Sequence, residues 1–123
     1  MHSWQKEIVI PYFFIPIPFG SIFLNESFII ENNPFNPMVS PVQFAFELTE
    51  AAPIEFQMFT LTGEEVYRYL YTAGTEGASI GENIIRWNGY NSSGEMVLNG
   101  VYIASITNTI TGEQARIKVA VVK

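Results

Sequence analysis

The chain contains neither cysteine nor aspartate, and its one histidine, His2, stands beside the first residue. Without cysteine there is no disulfide framework, no thiolate nucleophile and no thiolate zinc site, so the redox compartment stays open. Glutamates are then the only strong metal ligands, and none of the twelve falls in a ligand-spaced motif. Glu64-Glu65 reads as the solvated flank of a turn. No metal and no cofactor are expected. Basic residues are scarce too. Six Lys plus Arg against twelve Glu give a net charge of −6, which lacks the positive footprint that attracts phosphate backbones. Nucleic acid is therefore not an expected partner. An unbroken apolar run is also missing: the stretch from Ile8 to Leu24 is interrupted by Pro11, Pro16, Pro18 and Gly20, which rules out a spanning helix. The first residues carry no secretory signal pattern either.

What remains has the size of one domain and the composition of a packed, aromatic-rich core, with 48% hydrophobic and 15% aromatic residues in 123. Punctuation divides the chain. All seven prolines fall at or before residue 53, and eight of the nine glycines at or after residue 63. The composition shift places a boundary near residues 34–41. Upstream, Ile8 to Phe19 is too apolar for a solvated linker and too rich in proline for a central strand, so it reads as an extended segment that something must cover.

Downstream, period-2 alternation marks strands with one buried face. Val42, Phe44, Phe46 and Leu48 point one way, and Ile54, Phe56 and Met58 repeat the pattern up to the turn at Thr62-Gly63. Val66 to Tyr71 supplies a partner. A Gly-rich loop over residues 72–83 precedes Ile84 to Trp87, then Gly100 to Asn108 and Arg116 to Val122, the last two joined through Thr111-Gly112. Phe28 to Ile30 is a candidate seventh strand. No stretch has helical periodicity, so the expectation is an all-β, immunoglobulin-like β-sandwich of about seven short antiparallel strands with an extended apolar N-terminal arm.

The order of these signals resembles a known family. Asn33-Pro34-Phe35-Asn36-Pro37, an alternating strand, the turn at Gly63, then Trp87-x-Gly89 with Gly94, then Gly100-Val101-Tyr102, are similar to the C-terminal sorting domains of type IX secretion cargo. They are equally similar to the immunoglobulin-like domain of the flagellar hook-capping protein. The resemblance covers residues 33–123, leaving residues 1–32 as the arm. Gly63, Gly89, Gly94 and Gly100 sit where tight turns would need positive φ, and Trp87 and Tyr102 would bury large areas while offering an N–H or O–H to the backbone. Where the family has acidic residues, this chain has Asn88 and Asn91, whose neutral amides suit Asx-turns and are poor calcium ligands. The basic, apolar ending that includes Lys118 and Lys123 resembles the terminus that, in sorting domains, the translocation machinery reads.

Enzymatic readings find no support. Gly77-Ala78-Ser79-Ile80-Gly81 fits a G-x-S-x-G elbow, yet no helix follows it and no base is available to activate Ser79. Two N-glycosylation triplets, beginning at Asn25 and Asn91, are short enough to arise by chance. The expectation is thus a non-enzymatic module of an exported bacterial protein. It would pass through the periplasm to the cell surface or the medium, with protein partners only. The alternative is a structural assembly subunit in which Ile8, Ile10, Phe13, Ile15 and Ile17 of the arm join neighbouring copies by adding a strand to an exposed sheet edge. A chain that opens on Met1 with no large passenger domain suits that alternative. The arm has a plainer reading as well, as a leading strand over its own sandwich.

Overall fold

The computed structural model describes residues 22–23, 29–31 and 33–123. Arm residues 8–19 lie outside the described residues. Eight strands follow in order: β1 Ile22–Phe23, β2 Ile29–Glu31, β3 Val42–Leu48, β4 Ile54–Thr60, β5 Glu65–Tyr71, β6 Gly81–Trp87, β7 Gly100–Asn108 and β8 Gln114–Val121. They form two antiparallel sheets. In the second sheet the order is β5-β4-β7-β8. In the first, β6 takes one edge of β3, from Val42 opposite Trp87 to Leu48 opposite Gly81. The strands β1 and β2 pair with the two ends of β3, Ile22 opposite Leu48 and Ile30 opposite Phe44. A strand has two edges, so β1 and β2 must lie end to end along the remaining one. The sandwich therefore draws strands from upstream of Asn33.

Alternation sets the core as expected. Val42, Phe44, Phe46 and Leu48 are buried from β3, Ile54, Phe56 and Met58 from β4, and Ile117, Val119 and Val121 from β8. Phe44 and Phe56 meet across the two sheets with ring centroids 5.4 Å apart. Such a pair adds specific ring geometry to the area it buries.

Several boundaries differ from the sequence reading: β5 opens at Glu65 rather than Val66, and β8 runs over Gln114–Val121 rather than Arg116 to Val122. The strand β6 opens at Gly81 rather than Ile84, because Asn83 is buried with its amide satisfied. Its Nδ2 donates to the carbonyls of Ser79 and Gly81, and its Oδ1 accepts from the Ser79 N–H. A polar residue thus occupies a core-facing position without the cost of an unpaired buried amide. The glycine-rich loop before it is correspondingly shorter.

Between the sheets the chain crosses from β2 to the outer edge of β8. Phe35 N–H donates to Ala120 O at 2.9 Å, Val122 N–H donates to Phe35 O at 3.0 Å, and the two segments run parallel. Asn33 extends this pairing with its side chain: Oδ1 accepts from Ala120 N–H at 2.9 Å and Nδ2 donates to Lys118 O at 3.3 Å. The exposed edge of β8 is covered by a side chain acting as backbone, one of the ways proteins protect a sheet edge. We expect Asn33→Ala to cost about 2 kcal/mol in urea unfolding, from two lost hydrogen bonds and the edge they satisfy. An Asn33→Ala midpoint equal to that of the parent would show that the pairing carries no stability.

Candidate functional site

The expected motif residues converge at one end of the sandwich. The turn after Asn36, the hairpin at Leu61 to Glu64 and the loop from Asn88 to Asn99 all lie there, with the last residues of β8. Asn36 opens its turn with Oδ1 accepting from Met38 N–H at 2.9 Å. Trp87, 2% exposed, is the hub. Its ring centroid is 5.8 Å from Phe35, 6.2 Å from Tyr102 and 6.4 Å from Tyr67, and its indole N–H donates to Tyr90 O at 2.9 Å. Tyr102 donates its hydroxyl to Leu98 O at 2.6 Å, pinning the loop to the start of β7.

Gly89, at φ +89°, packs directly over Pro37. Pro34 joins Asn33 through a cis peptide bond at the crossing. Gly63 and Gly94, with φ of +98° and +85°, close turns by donating their N–H groups to Thr60 O and Asn91 O, both at 3.0 Å, and Gly100 opens β7 opposite Val121. Asn88 and Asn91 act as turn formers: Asn88 Oδ1 accepts from Tyr90 N–H, and Asn91 Oδ1 accepts from Ser93 and Glu95 N–H. Both carboxamide oxygens face backbone donors, which is the Asx-turn chemistry expected of them.

Lys123 is fixed rather than loose. Its backbone N–H donates to Asn99 Oδ1 at 3.0 Å and its Nζ to Val97 O at 2.7 Å. Lys118 is exposed on β8 opposite Ile103, one outward position from exposed Arg116. Around this fixed end stand exposed apolar side chains that sequence reasoning missed. Met38 is 71% exposed, Val39 78% and Leu98 77%, with Tyr90, Val101 and Val122 also open to solvent. They sit in turns and on strand starts, outside any periodic pattern, so no hydrophobic signal marked them.

Elsewhere the chemistry is quiet. Ser79 Oγ donates to Thr75 O at 2.7 Å and serves as a loop tie. Among the described residues no three His, Cys, Asp or Glu side chains cluster as a metal site. Burial pushes the Tyr71 phenol up to about 12, with Tyr67, Tyr69 and Glu76 adding to the effect. Burial also raises Tyr67, with Tyr69 contributing, and Tyr102, where the Leu98 hydrogen bond opposes it. None of these phenols supplies charge near neutral pH. No described helix is long and apolar enough to cross a membrane.

Solved structures share this fold. A part of PorZ from Porphyromonas gingivalis, an essential bacterial surface component of the type-IX secretion system, aligns at TM-score 0.53 and 20% identity over 78% of this chain. The chain spans 11% of that protein's length. FlgD from P. aeruginosa aligns at TM-score 0.53 and 15% identity, covering 83% of this chain and 74% of FlgD. FlgD from Xanthomonas campestris, whose structure concerns the hook capping essential for flagellar assembly, aligns at 0.46 and 17% identity over 85% of this chain and 69% of its own. At such identities the likeness is one of fold. No protein-family model matches the chain, and no curated protein matches it in sequence.

Proposed function

We propose that this chain is a non-enzymatic immunoglobulin-like module of an exported bacterial protein, which directs secretion through the periplasm and attaches its protein at the cell surface. The observation that carries the reading is the apolar end of the sandwich, where Met38, Val39, Leu98 and Val122 stand exposed around a Lys123 tied by two hydrogen bonds. Exposed apolar side chains held beside a fixed cation are what a protein partner docks on. The fold shared with PorZ supports the same reading.

Export tests it. The chain placed at the end of a reporter, in a bacterium with type IX secretion, is expected at the surface or in the medium, and retention in the periplasm overturns the proposal. A Val122→Ser, Lys123→Gln fusion is expected to stay in the periplasm with unchanged circular dichroism. Export of that variant at the parental level would move the recognised surface elsewhere.

A second reading, a structural assembly subunit, is favoured by one observation. The two sheets differ in width, and the inner side of β5 is left partly uncovered. Tyr69, between two covered tyrosines, is 51% exposed.

A further inference from the structure

The first sheet is three strands wide, with β1 and β2 sharing one edge, and the second is four. The deficit falls opposite β5. Its inward tyrosines show the consequence. Tyr67 packs against Phe56 and Trp87, and Tyr71 is closed over by the loop at Gly77, whose backbone leaves no room for a Cβ beside that ring. Tyr69 lies between them with its ring against Tyr71 at 4.7 Å and half of it in water. A strand added beside β6 would lie over it.

No strand among the described residues takes the outer edge of β6. Among the described residues β6 pairs with β3 alone, over seven residues. The other long edges are partly met by neighbours: Asn33 and Phe35 cover β8, and Ser92 N–H donates to Val66 O at the start of β5. At two and three residues, β1 and β2 are too short to template a ladder.

We propose that the outer edge of β6 receives residues 12–19 of a second copy of this chain, which complete the first sheet and close over Tyr69. This rests on the assembly reading and names its contact. The arm's prolines fit one orientation only. Pro16 and Pro18 share strand parity, so both missing N–H groups face away from β6 when Phe13, Ile15, Ile17 and Phe19 present their N–H and C=O groups to it. Pro11 has the opposite parity and ends the usable run. The side chains of Phe13, Ile15, Ile17 and Phe19 then share one face, and it is that face which the proposed pairing sets over the core.

The donor is a second copy because pairing along the full length of β6, with Phe19 included, is beyond the reach of the chain's own arm. The outer side of β6 lies three strand spacings from β1, about 14 Å. The three residues from Phe19 to Ile22 span at most about 11 Å fully extended. Nothing in residues 12–19 is charged, so association is driven by apolar burial rather than by steering.

Light scattering on the intact chain, combined with hydrogen exchange of β6 amides across a concentration series, tests this. The parent is expected to reach the mass of two or more chains as concentration rises, with β6 amides slowing in step. Two intact-length variants, Phe13→Lys with Ile15→Lys and Ile17→Lys, and separately Tyr69→Lys, are expected to remain single chains with fast β6 exchange. A parent of single-chain mass at every concentration overturns the assembly reading. A parent that associates while either variant associates equally, or while β6 amides stay fast, leaves assembly standing and overturns the β6 contact. Slow β6 exchange at single-chain mass would mean the arm folds back on its own sheet, and overturns the second copy as donor.

Discussion

Replacing Trp87 with alanine is expected to cost about 4 kcal/mol, in the middle of the range for emptying an aromatic site in a core. The reason is where the ring sits. Trp87 ends β6, yet it touches Tyr67 of β5, Tyr102 of β7 and Phe35 of the crossing segment. One side chain thus joins both sheets and the strand-to-edge crossing, and its N–H fixes the following loop at Tyr90. Those neighbours belong to different elements, so they cannot collapse together to fill the space, and the cavity term stays large. Urea unfolding followed by far-UV circular dichroism measures the loss. Trp87→Phe is expected to recover more than half of it, keeping ring contacts while leaving Tyr90 O without its donor. A Trp87→Ala loss below about 1 kcal/mol would mean the hub is filled by repacking.

Gly89→Ala is expected to cost about 3 kcal/mol, and Gly94→Ala about 1 kcal/mol, although both glycines have nearly the same φ. Backbone strain is common to the two. The difference is space: an added Cβ at Gly89 would lie 2.8 Å from Pro37 Cβ and 3.1 Å from Met96 Sδ, whereas nothing lies within 4 Å at Gly94. Met96 can swing aside, but the Pro37 ring is fixed by the turn that Asn36 caps. Thermal and urea unfolding of the pair separate the two effects, and equal losses would show that the Pro37 contact relaxes. Two motifs far apart in sequence, Asn33 to Pro37 and Trp87 to Gly94, are therefore one packed unit.

Much of the fold can be read from the chain because β3, β4 and β8 alternate between core-facing and open positions along most of their length, and alternation is a local property. The short strands β1 and β2 are different. Their pairing is decided by the long neighbour β3, so two or three residues of local sequence carry little of it. The start of β6 was hidden because Asn83 looks like a loop residue until its three hydrogen bonds to Ser79 and Gly81 are known. At the site, Asn33, Trp87, Gly89 and Tyr102 were legible as an ordered motif, but their meeting at one end of the sandwich was not. Nor was the work of the Asn33 amide, since its partners lie 85 and 87 residues away. Tyr69 was equally opaque: parity assigns it to the inner face, and only the unequal sheet widths leave it in water.

The parallel course of the crossing segment and β8 bears on how the molecule would carry tension. A pull on the chain ahead of Asn33 and an opposing pull at Lys123 act along the same axis, in opposite senses, on two strands joined side by side. The bonds from Asn33 and Phe35 to β8 would then be loaded together in shear rather than opened one after another. Forced unfolding is governed by the rate of escape over the unfolding barrier, and that rate falls when several bonds must yield at once. An edge strand closed by a side chain and two amides thus doubles as a mechanical clamp between the crossing segment and the end of the chain.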